Sequence, residues 1–392
     1  MIARLLLSPE FARNRSLAAA IVCATLSGCG YTLLMPVIGI NLEMMTGSGA
    51  LVGLNGAAAA LSTIVATPFV ARLLERLPGR PLIAVSLLVA AISLPLFRVF
   101  PDPTAWFVLR FVMGIAITVV FVSSEVWINQ IATPERRATI LGMYATALAG
   151  GFALGGLLLS VLGSQGWGPW LAGMTLFAVG TLPVMGLRGP EIEPPSSDDA
   201  SVKAMLRAAL IAPSAIGAGL LFGATETIFF ALMPVYGVRI GLAEAAIGII
   251  MVCGAIGGIL LQIPIGRLAD TVGKLPVVRI ITLVCLIGPA FVWLAGSNAF
   301  ALYGVMFVYV GAATTLYTLG LALVGERFTG GAIAAANAAF VMAYGVGSLV
   351  APPIGGVAMD IVDPQGLLIV LSALASLFLA VLVVRGWQRR TG

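Results

Sequence analysis

Twelve apolar runs of about 20 residues or more, set apart by short polar breaks, limit what this chain can fold into more than anything else in it. They lie at about 16–40, 50–74, 81–100, 105–131, 138–163 and 168–187 and, past a longer break, at about 207–237, 244–268, 275–295, 299–325, 331–359 and 365–385. A hydrocarbon layer about 30 Å thick takes about 20 such residues per helix, and the runs account for nearly the whole length. Composition agrees: 60% of the 392 residues are hydrophobic and 9% charged, against roughly 25% charged in a soluble globular chain. The expectation is an all-α membrane protein with twelve transmembrane helices in a lipid bilayer.

The longer break runs from Arg188 to Lys203 and holds Pro190, Glu191, Glu193, Pro194, Pro195, Ser196, Ser197, Asp198 and Asp199, the composition of a flexible connector. It divides the chain into a six-helix bundle over residues 1–187, a cytoplasmic linker over 188–206 and a second six-helix bundle over 207–392. With the amino terminus in the cytoplasm, eighteen of the twenty-one basic residues fall in inside segments, Arg98 and Arg239 fall in outside loops, and Arg110 lies within a span. The positive-inside rule therefore puts both termini in the cytoplasm. The net charge of +5 is spread singly between apolar runs. No one face is basic, which argues against a nucleic-acid partner.

Cys23, Cys29, Cys253 and Cys285 all fall inside apolar runs and read as reduced, inert thiols with no disulfide or metal framework. The chain has no histidine, so proton work falls to carboxylates. Leu26-Ser27-Gly28-Cys29 resembles a lipoprotein cleavage site. The apolar run continues past Cys29 to Ile40, however, and cleavage there would cut a spanning helix in half.

The two halves echo each other at an offset of roughly 195 residues, as parallel repeats about an axis normal to the membrane do. Leu34-Met35-Pro36-Val37 in the first span returns as Leu232-Met233-Pro234-Val235 in the seventh. Gly53 and Pro68 of the second span are matched by Gly248 and Pro264 of the eighth. Gly151, Gly155 and Gly156 of the fifth answer Gly347, Gly355 and Gly356 of the eleventh. The twelve helices thus form two pseudo-symmetric six-helix bundles.

Three motifs carry a family resemblance. Gly266-Arg267-Leu268-Ala269-Asp270-Thr271-Val272-Gly273-Lys274, between two spans on the cytoplasmic side, resembles the loop signature of the major facilitator superfamily. In it Gly266 lets two helices approach, and the Asp270 carboxylate can cap a neighbouring helix amino terminus. The first-half counterpart, Ala71 to Arg80, is degraded, with Ala71 for Gly and Glu75 for Asp. Leu109-Arg110-Phe111-Val112-Met113-Gly114 is similar to the family's intramembrane arginine motif. Its antiporter motif is half present in the fifth span, with Gly156 in place of proline, and better matched by Gly347 to Gly356 in the eleventh, although such glycines also serve ordinary close helix packing. Arg110-Phe111 with Glu125 and Ile263-Pro264-Ile265-Gly266 looks most like the YcaD-like branch. The resemblance implies that the first, fourth, seventh and tenth helices line a central cavity around which the halves rock.

Glu226, near the middle of the seventh span and flanked by Thr225 and Thr227, is the expected proton-coupling residue, since a lone carboxylate there can bind and release a proton. Arg110 costs several kcal/mol at mid-membrane and is kept for a partner or a water-filled cavity. It is read as a substrate-binding residue that can pair with Glu226 across the cavity. Tyr31, Tyr309 and Phe230 complete the substrate-binding set, on spans that the resemblance assigns to the cavity. Glu125 with Glu75, Arg76 and Arg80, and Glu326 with Arg267, Asp270 and Lys274, are expected as cytoplasmic gates.

No nucleophile and base pair, metal cluster or phosphate loop is found, so neither an enzyme nor a cofactor is expected. The leading reading is a monomeric secondary transporter of a bacterial inner membrane, exporting a small organic solute in exchange for protons through an aliphatic and aromatic cavity. The alternatives are proton-coupled uptake of an organic anion gripped by Arg110, and a non-transporting membrane sensor of the same fold.

Overall fold

In a computed structural model, residues 9–131, 136–185, 202–329 and 332–391 are described. All twelve expected spans are helices long and apolar enough to cross a membrane, and no strand occurs among the described residues. In chain order the first six are α1 (Pro9–Thr46), α2 (Gly49–Arg76), α3 (Gly79–Val99), α4 (Pro103–Ile131), α5 (Arg137–Leu162) and α6 (Gly168–Met185). They are followed by α7 (Val202–Ile211), α8 (Pro213–Ala231), α9 (Met233–Arg239), α10 (Glu244–Val272), α11 (Lys274–Ala295), α12 (Ala299–Arg327), α13 (Ala332–Ile361) and α14 (Gly366–Thr391). Residues 188–201 of the expected linker lie outside the described residues, and its last five residues already belong to α7.

The seventh apolar run, expected as one span over 207–237, is three helices, and prolines cause both breaks. Pro213 disfavours helical backbone at the residue before it, and Ala212 sits at φ −121°, ψ 52°. Pro234 has no N–H to continue the hydrogen-bond ladder, and the chain re-forms as α9 after Leu232 at φ −108°, ψ −28°. Pro36, its partner in the repeat, lies inside α1. The chain falls into two compact units, and α1 passes from one to the other just after that proline.

The first unit comprises residues 1–37 and 58–197. Here α3 packs on α4 and α6, where Phe97, Trp106 and Trp170 gather with ring centroids 5.3 to 5.8 Å apart. The indole N–H of Trp106 donates to the Phe97 carbonyl at 3.0 Å, so the ring's one polar atom is satisfied. α5 lies against α1 at Gly155, where an added Cβ would stand 2.5 Å from the Cys29 carbonyl oxygen.

The second unit comprises residues 38–57 and 198–392. In it α10 packs on α12, α8 on α12 and α13, and α11 on α12 and α14. The backbones of α10 and α12 touch at Gly257 and Gly311: a Cβ on Gly257 would stand 2.1 Å from the Phe307 carbonyl oxygen. Small residues substitute here for the hydrophobic drive that lipid removes between helices. Gly266, expected to allow such an approach, does not do so; a Cβ there meets nothing within 4 Å. The close contact lies two turns earlier, where the facing residue is also glycine.

Gly257→Ala is therefore expected to destabilise the detergent-solubilised protein by about 1–3 kcal/mol through overpacking. Gly266→Ala should leave its thermal unfolding midpoint unchanged within error. Equal effects of the two substitutions would contradict this packing.

Candidate functional site

Glu226 owes its surroundings to two glycines. A Cβ on Gly223 of α8 would stand 2.2 Å from the Tyr344 carbonyl oxygen, and one on Gly347 of α13 would stand 2.1 Å from the Leu220 carbonyl oxygen. With no side chain at either position, α8 and α13 meet backbone to backbone. The Ser348 hydroxyl donates to the Gly223 carbonyl at 3.2 Å, and the Tyr344 hydroxyl reaches the Glu226 carboxylate, donating to Oε2 at 2.6 Å. Phe222, one turn before Glu226, brings its ring within 5.7 Å of the rings of both Tyr317 and Tyr344. Glu226, Tyr317 and Tyr344 are half-buried residues.

Arg110 lies in the first unit, 2% exposed, with its guanidinium carbon 6.0 Å from the centre of the Tyr31 ring. Its Nε and Nη1 have no hydrogen-bond partner. A buried guanidinium with unmet donors is costly and predisposed to an anion. The ring face of Tyr31 offsets part of that cost.

Tyr309 and Phe230, also expected to bind, are buried as well. The Tyr309 ring is pressed against α11, where a Cβ on Gly288 would stand 2.2 Å from it. The void beside it, lined by Thr225, Phe229 and Met306 among others, is about 10 Å³. That is about the room of one water molecule, too little for a solute. Phe230 is buried against Phe229, with centroids 5.2 Å apart.

Among the expected gate residues, Lys274 and Glu326 form an ion pair between α11 and α12. Arg267 and Asp270 are exposed. The expected capping by Asp270 is not made to any helix start among the described residues, and residues 330–331, which precede α13, lie outside them. Glu75, Arg76 and Glu125 are exposed. Arg80 is buried, and its guanidinium carbon stacks 5.3 Å from the Trp127 ring centre.

The most densely bonded charged group escaped the sequence reading. Arg239, at the end of α9, donates from Nε to Glu43 at 2.8 Å, from Nη2 to Asp360 at 2.7 Å and from Nη1 to Asp363 at 2.9 Å. Nη1 also donates to the Met359 carbonyl at 3.2 Å. Asp360 in turn accepts from the backbone N–H groups of Gly49 and Ala50 at 2.8 and 2.9 Å, capping the start of α2. Burial alone lowers the Arg239 pKa, but the hydrogen bonds to the three carboxylates outweigh it and hold the pKa above the ordinary arginine value. A signal was present: Arg239 breaks the inside bias of basic residues, and Glu43, Asp360 and Asp363 stand at span ends on the same face.

Arg239 is 11% exposed, so removing it leaves carboxylates crowded with no cation. Arg239→Ala should cost about 3 kcal/mol of unfolding free energy, as broken buried pairs do. Lys274→Ala, at a more exposed pair, should cost about 0 to 1 kcal/mol. Thermal unfolding of both variants in one detergent checks the order, and a larger loss for Lys274→Ala would contradict it.

The family model described as Major Facilitator Superfamily matches residues 20–246 and 214–391. The uncharacterized MFS-type transporter YfkF of Bacillus subtilis (strain 168) is 26% identical over 369 residues, 93% of this chain and 94% of that one. The uncharacterized MFS-type transporter YcaD of Shigella flexneri serotype 5b (strain 8401) is 30% identical over 284 residues, 71% of this chain and 72% of that one. Two solved structures share the fold. The nucleoside transporter NupG has a TM-score of 0.75 at 16% identity, over 94% of this chain and 98% of that one. A bacterial homologue of the human lysosomal transporter Spinster, inward-facing and unoccupied, has a TM-score of 0.72 at 15% identity, over 95% of each chain. This chain is a multi-pass membrane protein that belongs to the Major Facilitator Superfamily, in the YcaD-like group of transporters.

Proposed function

We propose that this protein is a proton-coupled secondary transporter that exports a small organic solute by alternating access, with Glu226 as the residue that takes up and gives back the proton. The observation that carries the reading is the Glu226 carboxylate itself: it belongs to a residue within a membrane span, and the hydroxyl of Tyr344 is its hydrogen-bond donor. A carboxylate is not kept at that depth without a partner or a pathway. With no histidine in the chain, it is the group suited to proton exchange. The moving bodies are taken as residues 1–187 and 207–392, joined by the linker at 188–206. The Arg239 cluster, which ties Glu43 to Asp360 and Asp363, acts in this reading as a contact that holds one conformation and releases in another. The distribution of basic residues supports an inner-membrane monomer with both termini in the cytoplasm.

A second reading, uptake of an organic anion, rests on Arg110, whose Nε and Nη1 are unpartnered at 2% exposure. A carboxylate or phosphate bound at either of these donors would supply the acceptor that the protein leaves unmet.

Proteoliposomes carrying an internal pH-sensitive dye and a pH gradient, offered organic cations, organic anions, nucleosides, sugars and amino acids, test both readings. Under the first, at least one non-anionic compound drives proton movement in the wild type, and Glu226→Gln abolishes it. Wild-type flux in Glu226→Gln would contradict the coupling role. Flux driven by an anion and lost in Arg110→Ala would establish the second reading instead.

A further inference from the structure

We propose that Phe222, Tyr317, Tyr344 and Glu226 form a binding site for a lipophilic organic cation, which deepens the reading that Glu226 lies on the transport path and rests on it. Three rings from three helices meet here. Phe222 of α8 is 5.7 Å from Tyr317 of α12 and 5.7 Å from Tyr344 of α13, and the two tyrosines are 6.1 Å apart. The Phe222–Tyr344 planes are inclined by 30° and the Tyr317–Tyr344 planes by 83°, so the cluster presents both a stacked pair and a crossed ring. Behind it, Phe340 is fully buried and 5.3 Å from Tyr317, closing the cluster on the protein side.

The spacing of Phe222 and Glu226 puts ring and carboxylate on one face of α8. The hydroxyl of Tyr344 holds the carboxylate at one oxygen and leaves the other for a ligand. No basic side chain among the described residues forms an ion pair with Glu226. Its negative charge is therefore left for a proton or a bound cation to balance. Ring faces carry the negative end of the aromatic quadrupole, so cluster and carboxylate attract the same sign of charge. Tyr317, Tyr344 and Glu226 are each half-buried at span depth. A carboxylate does not face hydrocarbon, so we take the side these residues leave open as the place where a ligand enters.

The site also selects the kind of cation. The charged group of the site is one carboxylate already held by the Tyr344 hydroxyl, so a ligand with many N–H or O–H groups would bury donors unpaired. A quaternary or charge-delocalised cation with aromatic or alkyl substituents has no such donors and fits the rings.

The test is equilibrium binding of tetraphenylphosphonium to the detergent-purified full chain, with tetraphenylborate as a probe of the same shape and opposite charge. The wild type should bind the phosphonium and, in a separate titration, not the borate. Glu226→Gln should weaken its binding at least tenfold, and Phe222→Leu and Tyr317→Leu, which keep the carboxylate, about threefold to tenfold each. Phosphonium affinity equal in wild type and Glu226→Gln, no phosphonium binding by the wild type, or preference for the borate would overturn the site. Should Glu226→Gln fail to elute as a single folded species, unchanged affinity in both ring variants overturns it equally. The outcome is separable from the coupling reading: wild type that moves protons in liposomes without binding the phosphonium loses only the cation site. Wild type that binds it through Glu226 without moving protons loses only the coupling.

Discussion

Contact of helix backbones at glycine is the interaction on which the candidate site depends. In lipid the apolar side chains of a helix gain little by leaving their surroundings, so helices hold together through close packing and interhelical hydrogen bonds. Gly223 and Gly347 each face a carbonyl oxygen of the opposite helix. Their approach brings Tyr344 to Glu226 and aligns the aromatic rings beside it. Gly257 and Gly311 do the same for α10 and α12, and Gly155 does so for α5 and α1, so one device builds both units.

Proline acts on the same helices lengthwise. Pro234 ends α8 and starts the short α9, whose last residue, Arg239, then reaches Glu43, Asp360 and Asp363. Pro36, at the equivalent place in the first half, immediately precedes the point where α1 passes from one compact unit to the other. A residue that removes one hydrogen bond from the ladder makes a natural place for a helix to bend. The repeated Leu-Met-Pro-Val thus sets a proline at the equivalent place in both halves, ending a helix in the second and lying inside α1 in the first.

The spans were legible because hydrophobic length is a nearly sufficient signal in a bilayer, where the backbone must satisfy itself. Proline breaks within a run were not, since the seventh run stays apolar across Pro213 and Pro234. Glu226 could be singled out from sequence, because charge within a span is rare and conspicuous. Its partner Tyr344 was one tyrosine among several, and which one faces Glu226 depends on the rotation of α13, set by Gly347 and Ser348. The direction of the Tyr309 ring was not legible for the same reason: the small Gly288 draws it toward α11. The Arg239 cluster joins residues almost two hundred positions apart, and no local pattern announces it.

The central claim is that one carboxylate, Glu226, exchanges a proton for the transported solute. The most direct measurement is proton release by the purified protein in weakly buffered detergent, at a pH acidic enough to protonate carboxylates, on addition of tetraphenylphosphonium. The account predicts release of about one proton for each cation bound by the wild type and none from Glu226→Gln. Binding without proton release, or the same release from both proteins, would contradict it.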